Sequence, residues 1–73
     1  MNLDDSIHFA DELFSHAGEH YTEGGWDVIV ECWTVDLVLE AVEGMTWDEA
    51  WELFKNLASV WADRQADARN SAF

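Results

Sequence analysis

From Met1 to Glu52 the chain carries fourteen Asp and Glu and not one Lys or Arg. Any element built there must bury its apolar side chains with no cation at hand to neutralise a carboxylate drawn in beside them. An unpaired buried carboxylate costs more than a small domain can carry, so the phase of the acids limits what each segment can become. The limit is sharpest in "GGWDVIVECWT", Gly24 to Thr34. As a strand, Ile29 and Trp33 would share a face with Asp27 and Glu31. As a helix, Asp27 and Glu31 stand about 40° apart and the six apolar residues fill the opposite arc. Val and Ile favour a strand by propensity, yet a lone strand would need a second copy of the chain to pair with. Helix is the better reading of 26–33, with strand pairing in a dimer as the alternative.

That helix cannot continue unchanged to Glu43. Asp36, Glu40 and Glu43 would fall nearly opposite Asp27 and Glu31 and leave no consistent dry face. A break near Trp33–Val35 removes the conflict, with Thr34 capping a second short helix over about 35–43 and Gly44 ending it. Upstream, Leu3, Ile7, Ala10, Phe14, Ala17 and Tyr21 recur at spacings of four and three, which predicts a helix over about 3–17 with these residues as its seam. Phe9 and Leu13 lie beside the seam and widen it. Asn2 can cap this helix, and Asp4 and Asp5 suit its positive end.

The last block, "TWDE", supplies a capping box from Thr46 to Glu49 and predicts a long helix over about 47–68. Asp48, Glu52, Lys55, Ser59 and Asp63 form one polar stripe. Trp47, Ala50, Trp51, Leu53, Phe54, Leu57, Ala58, Val60 and Trp61 take most of the remaining circumference. A helix so broadly apolar is either central to its fold or shared with a second subunit. The tail "NSAF" is expected to fray unless Phe73 docks. The expected architecture is all-α: one domain over 1–73, two long helices flanking two short ones, with Trp26 and Trp33 filling the gap between the long pair. Ten aromatics are many for one copy to cover, so a homodimer is a further expectation.

Bulk properties exclude several classes. An apolar fraction of 49 % with five Trp and four Phe is that of a folding chain. No apolar run is long enough to span a membrane, and the acidic start "MNLDDSIHF" does not suit an export signal. A single cysteine, Cys32, forms no internal disulfide and fits the reducing cytoplasm. The formal net charge of −13 argues against direct binding to nucleic acid or anionic lipid.

The chemistry-bearing residues form no recognisable catalytic motif. Glu12, His16 and His20 follow one another at four-residue intervals, a ligand set zinc accepts when it lies on one rigid helix face. Gly18 weakens the helix there, and the plainer reading is a wet helix edge, so no metal is expected. Cys32 has only histidines in its half of the chain to lower its pKa, and a buried, inert thiol is expected. Gly24-Gly25 reads as a turn rather than a phosphate loop. No enzymatic activity and no cofactor are expected.

The remaining candidate site is the acid itself: Asp4, Asp5, Asp11, Glu12, Glu19, Glu23, Asp27, Glu31, Asp36, Glu40 and Glu43. Self-repulsion on this scale opposes compaction, which argues that something other than folding maintains it. All fourteen acids of residues 1–52, pooled over a body about 30 Å across, approach one charge per about 2 Å, against about 1.7 Å of axis in B-DNA. In size and charge the chain resembles the phage- and plasmid-encoded anti-CRISPR and anti-restriction proteins, a compositional likeness that covers no motif. The resemblance implies a bacterial or phage setting and, as target, the basic surface of a defence nuclease or of its DNA-recruiting complex. The alternative is a helical adaptor or oligomerisation module whose acid is a solvated coat and whose binding runs through Trp51, Phe54 and Trp61.

Overall fold

Local capping chemistry divides the chain into four helices. The computed structural model describes residues 1–70, with side chains as far as Ala68; the tail from Ser71 to Phe73 lies outside the described residues. Helix α1 spans Leu3–Glu19, α2 Trp26–Cys32, α3 Val35–Ala41 and α4 Trp47–Asn70, and no strand occurs among the described residues. The all-α architecture and the order long, short, short, long are those expected from the phase of the acids.

Each cap places a side-chain oxygen on an otherwise unpartnered backbone N–H. The Asp5 amide donates to Asn2 Oδ1 at 2.8 Å, and the Leu37 amide to Thr34 Oγ1 at 3.2 Å. At the start of α4 the capping box is reciprocal. The Glu49 amide donates to Thr46 Oγ1 and the Thr46 amide to Glu49 Oε1, both at 3.2 Å. Trp33 is extended, at φ −109° and ψ 141°, and separates α2 from α3. Gly44, at φ +78°, turns the chain away from the end of α3. The Met1 amino group donates to the Met45 carbonyl at 2.6 Å and closes that turn against the start of α1.

The core lies where α1 faces the other three helices. Phe9, Ala10, Leu13 and Ala17 of α1, Ile29 of α2, Val38 and the following Val42 of α3, and Ala50 and Phe54 of α4 are fully buried. Backbone packing joins α1 to α2 and α3, and α2 to α4, whereas α1 and α4 stand farther apart. Aromatic rings bridge that wider gap. Phe9 meets Trp47, Trp51 and Phe54 at ring-centre distances of 5.4, 5.2 and 5.9 Å. Trp33 meets Phe54 edge-on at 4.9 Å, and Trp26 meets His16 edge-on at 4.7 Å. These tilted and edge-to-face geometries are the favoured ones for ring pairs. Trp26 thus packs on α1 and Trp33 on α4, both against the core.

Two expectations are corrected. The buried face of α1 is Ser6, Phe9, Ala10, Leu13 and Ala17, turned about 70° from the expected seam at 100° per residue. Leu3, Ile7 and Tyr21 of that seam are exposed, and Phe14 is half-buried. In this orientation Phe9 meets all three rings that α4 offers. Cys32, expected to be buried, is exposed, because Ile29 takes the one inward position of α2.

Gly25 is more than a turn residue. It is buried at φ +80°, and a Cβ there would stand 2.2 Å from the Ala58 carbonyl oxygen and 2.9 Å from the Ala62 amide nitrogen of α4. The loop before α2 crosses α4 over two alanines, which leaves room for backbone alone. Beyond Ala62 every described side chain of α4 is exposed. The molecule is correspondingly elongated, 48 × 20 × 17 Å, longer than the body about 30 Å across that its length suggested.

Candidate acidic interface

The helices sort the carboxylates to the outside. All sixteen belong to described residues, and all are exposed except Asp27, which is half-buried. On α1, Asp4, Asp5, Asp11, Glu12 and Glu19 fall within an arc of about 120°, centred opposite the buried face. On α2, Asp27 and Glu31 lie one turn apart; on α3, Asp36 and Glu40 do the same. Glu23 and Glu43 lie in the turns that follow α1 and α3.

Little inside the chain answers this charge. Among the described side chains no carboxylate lies within ion-pair distance of a Lys or Arg; the close pairs are with histidines, His8 Nε2 to Glu12 Oε1 at 3.1 Å and His20 Nδ1 to Glu23 Oε2 at 2.8 Å. Both pairs are largely solvated, where such contacts contribute little to stability. The Tyr21 hydroxyl donates to Glu31 Oε1. That hydrogen bond, reinforced by burial and by the charges of Glu31 and Asp27, holds the Tyr21 phenol above its ordinary pKa of 10.0. Gln65 Nε2 reaches Asp27 Oδ2 at 3.4 Å from α4.

The carboxylates meet different neighbours around the body. Asp4 and Asp11 border a groove of about 620 Å³ with Ile7, Phe14 and Val35. Glu40 and Glu43 border a second groove of about 410 Å³ with Met1, Leu3 and Leu39. Glu12 and Glu19 border a shallower groove of about 280 Å³ with His16 and Trp51. Asp27 and Glu31 stand apart, with Tyr21 and Gln65.

Of the weighed metal ligands, His16 and His20 stand with ring centres 4.5 Å apart, but Glu12 does not complete a set with them. Glu12 is turned to His8 and His20 to Glu23, while the His16 ring sits edge-on to Trp26 and Trp51. Among the described residues no three His, Cys, Asp or Glu side chains stand where they could hold a metal ion. The aromatic candidates separate as well. Phe54 is 0 % exposed, so it belongs to the core and is removed from any partner interface in this form; Trp51 is half-buried against Phe9. Trp61 remains, 37 % exposed, with the Arg64 guanidinium 5.2 Å from its ring centre. One copy covers most of the aromatic surface: Phe9 and Phe54 fully, and Phe14, Trp26, Trp33, Trp47 and Trp51 in part.

Sequence reasoning missed Leu3, Ile7 and Val35 as surface residues; they are 67 %, 48 % and 47 % exposed. The signal available was the width of the α1 apolar arc. With Phe9 and Leu13 included, it exceeds what one packed face requires. The chain matches no known protein family, no curated protein and no solved structure. No helix among the described residues is long and apolar enough to cross a membrane.

Proposed function

We infer that the chain is a small acidic inhibitor. In this reading it occupies the basic, nucleic-acid-binding surface of another protein, in the manner of a nucleic-acid mimic. A defence nuclease or the complex that recruits it to DNA is the proposed target, in the cytoplasm of a bacterial cell. One observation carries the reading: the carboxylates are held outward without a Lys or Arg partner among the described side chains. Charge that the fold leaves solvated and without a Lys or Arg partner is available to a receptor. Sixteen carboxylates along a 48 Å axis average one per about 3 Å when all faces of the body are counted together, a charge density of the order found on nucleic acid. Negative potential would speed the encounter, and apolar contacts would set how long the complex lasts. No catalytic step, metal or cofactor enters this reading.

The test is capture of a partner by the tagged chain from bacterial lysate, repeated at rising salt and with DNA as competitor. Capture should fall by at least tenfold between about 50 and 200 mM salt, and DNA should displace the partner. Capture that is indifferent to both salt and DNA would contradict the reading. It would favour the adaptor alternative, which now rests on Trp61 and its exposed neighbour Val60. That alternative expects salt-tolerant binding abolished by Trp61→Ala.

A further inference from the structure

We propose that the seam between α1 and α3 is a docking groove for one amphipathic basic helix of a partner protein. The proposal deepens the inhibitor reading by naming the element the partner presents. It rests on that reading only for the partner's biological role; the groove itself stands on its own geometry.

Two grooves lie along the contact of α1 with α3. The first, about 620 Å³, is lined by Ile7, Phe14 and Val35 and bordered by Asp4 and Asp11. The second, about 410 Å³, holds Leu3 and Leu39 and is bordered by Glu40 and Glu43. Buried Ala10 and Ser6 line the first and second respectively. Both small residues belong to the inward face of α1, and their size lets each groove sink between the helices. Three of the most exposed large apolar side chains of the described chain, Leu3, Ile7 and Val35, stand along this one strip. Solvated apolar side chains gathered in a channel, rather than scattered singly, mark an interaction surface.

The rim decides the occupant. Carboxylates border both grooves, His8 also lines the first, and no Lys or Arg lines either. A partner must therefore bring an apolar stripe flanked by cations. A second copy of this chain seated by a two-fold axis would repeat the same patch and set Asp4, Asp11, Glu40 and Glu43 against their own kind. A partner strand has no sheet edge to join among the described residues, so the main-chain mode of peptide recognition is closed. A helix laid in the groove between two helices needs only apolar anchors at i, i+3 or i+4, and i+7. From Leu3 to Phe14 the strip runs about 16 Å, at 1.5 Å per residue, which is three turns of such a helix. The same α1 carboxylates that steer a cationic partner would then flank the apolar contact that retains it.

The experiment uses the full chain and a synthetic peptide of about 15 residues (~22 Å as a helix). Leu occupies the i, i+3, i+4 and i+7 positions, and Lys the flanks. Its control is a scrambled isomer of the same composition and charge. Affinities are read by calorimetry and the binding site by methyl chemical shifts. The patterned peptide should bind at least tenfold more tightly than its isomer and shift the methyls of Ile7 and Val35 but not those of Val60. Ile7→Ser and Val35→Ser alter side chains that are only about half covered and should leave the chain folded, as thermal unfolding checks. Each should lose the tenfold preference, while Leu37→Ser and Val60→Ser, equally exposed elsewhere, should keep it.

Equal binding of the two isomers, with steep salt dependence, would overturn the groove and leave the acidic-inhibitor reading standing. Failure of both peptides to bind overturns the groove, as does a dimer in sedimentation that Ile7→Ser dissolves. Salt-indifferent capture of the lysate partner, with the peptide preference intact, would sink the inhibitor reading and spare the groove.

Discussion

Helices α1 and α4 meet over the same rings, yet they handle charge in opposite ways. α4 mixes its signs: Lys55 and Arg64 share its exposed surface with Asp48, Glu52 and Asp63. Its apolar residues spread so widely that Val60 and Trp61 are left in solvent. α1 keeps the two properties apart. Its inner arc gives Phe9, Leu13 and Ala17 to the core, while its outer arc holds five carboxylates and no basic side chain other than histidine. The contrast shows that α1 separates its apolar and charged arcs whereas α4 does not. Stability is concentrated in rings and close crossings between helices, and most of the charge lies on solvated faces outside them.

The comparison can be broken most directly at the rings. Phe9→Ala removes the side chain that meets Trp47, Trp51 and Phe54 together. It should cost about 3–5 kcal/mol, a large part of the stability of so small a domain; urea unfolding gives the value. A loss below about 1 kcal/mol would mean that α1 does not depend on α4. Gly25→Ala tests the other crossing. Its Cβ would strike the Ala58 carbonyl and its φ is positive, so a loss of at least about 2 kcal/mol is expected, measured the same way.

Smaller effects sharpen the contrast. Thr46→Ala breaks the reciprocal cap of α4 and should cost about 1 kcal/mol without altering partner capture. Added sodium chloride should raise the thermal midpoint of the wild-type chain, because it screens repulsion that no Lys or Arg partner among the described side chains relieves. A midpoint that falls with salt would reveal favourable ion pairs at odds with the arrangement of α1.

The smallest effect belongs to Tyr21. Its folded pKa lies above 10.0, chiefly because the neutral hydroxyl donates to Glu31. The stabilisation is therefore complete below the unfolded pKa and is lost as pH rises through the folded one. Tyr21→Phe should abolish this alkaline loss, and ultraviolet titration of the phenol should place the wild-type midpoint above 10.0.

How far the sequence could be read depended on whether the deciding chemistry was local. Asn2, Thr34 and the Thr46–Glu49 box each act within three residues, so the helix starts were legible. The helical state of Trp26–Cys32 was legible because Asp27 and Glu31 cannot both face water on a strand that buries Ile29. The rotation of α1 was not. Leu3-Ile7-Phe14 and Phe9-Leu13-Ala17 are both acceptable seams, and the choice was made by the rings of α4, dozens of residues away. Gly25 read as a turn because nothing in the neighbouring sequence announces that α4 passes beneath it. The exposure of Cys32 followed from the same kind of distant choice. Among the candidate site residues, the outward placement of the acids was legible from their phase. The grooves between them were not, since they depend on which α1 seam is left over.

The most direct measurement compares partner capture by the native chain with that of a variant carrying Asp4→Asn, Asp5→Asn, Asp11→Asn, Glu12→Gln and Glu19→Gln, across a salt series. The account predicts that the variant still folds, captures at least tenfold less partner at low salt, and shows a flatter salt response. Capture equal to that of the native chain at every salt concentration would contradict it.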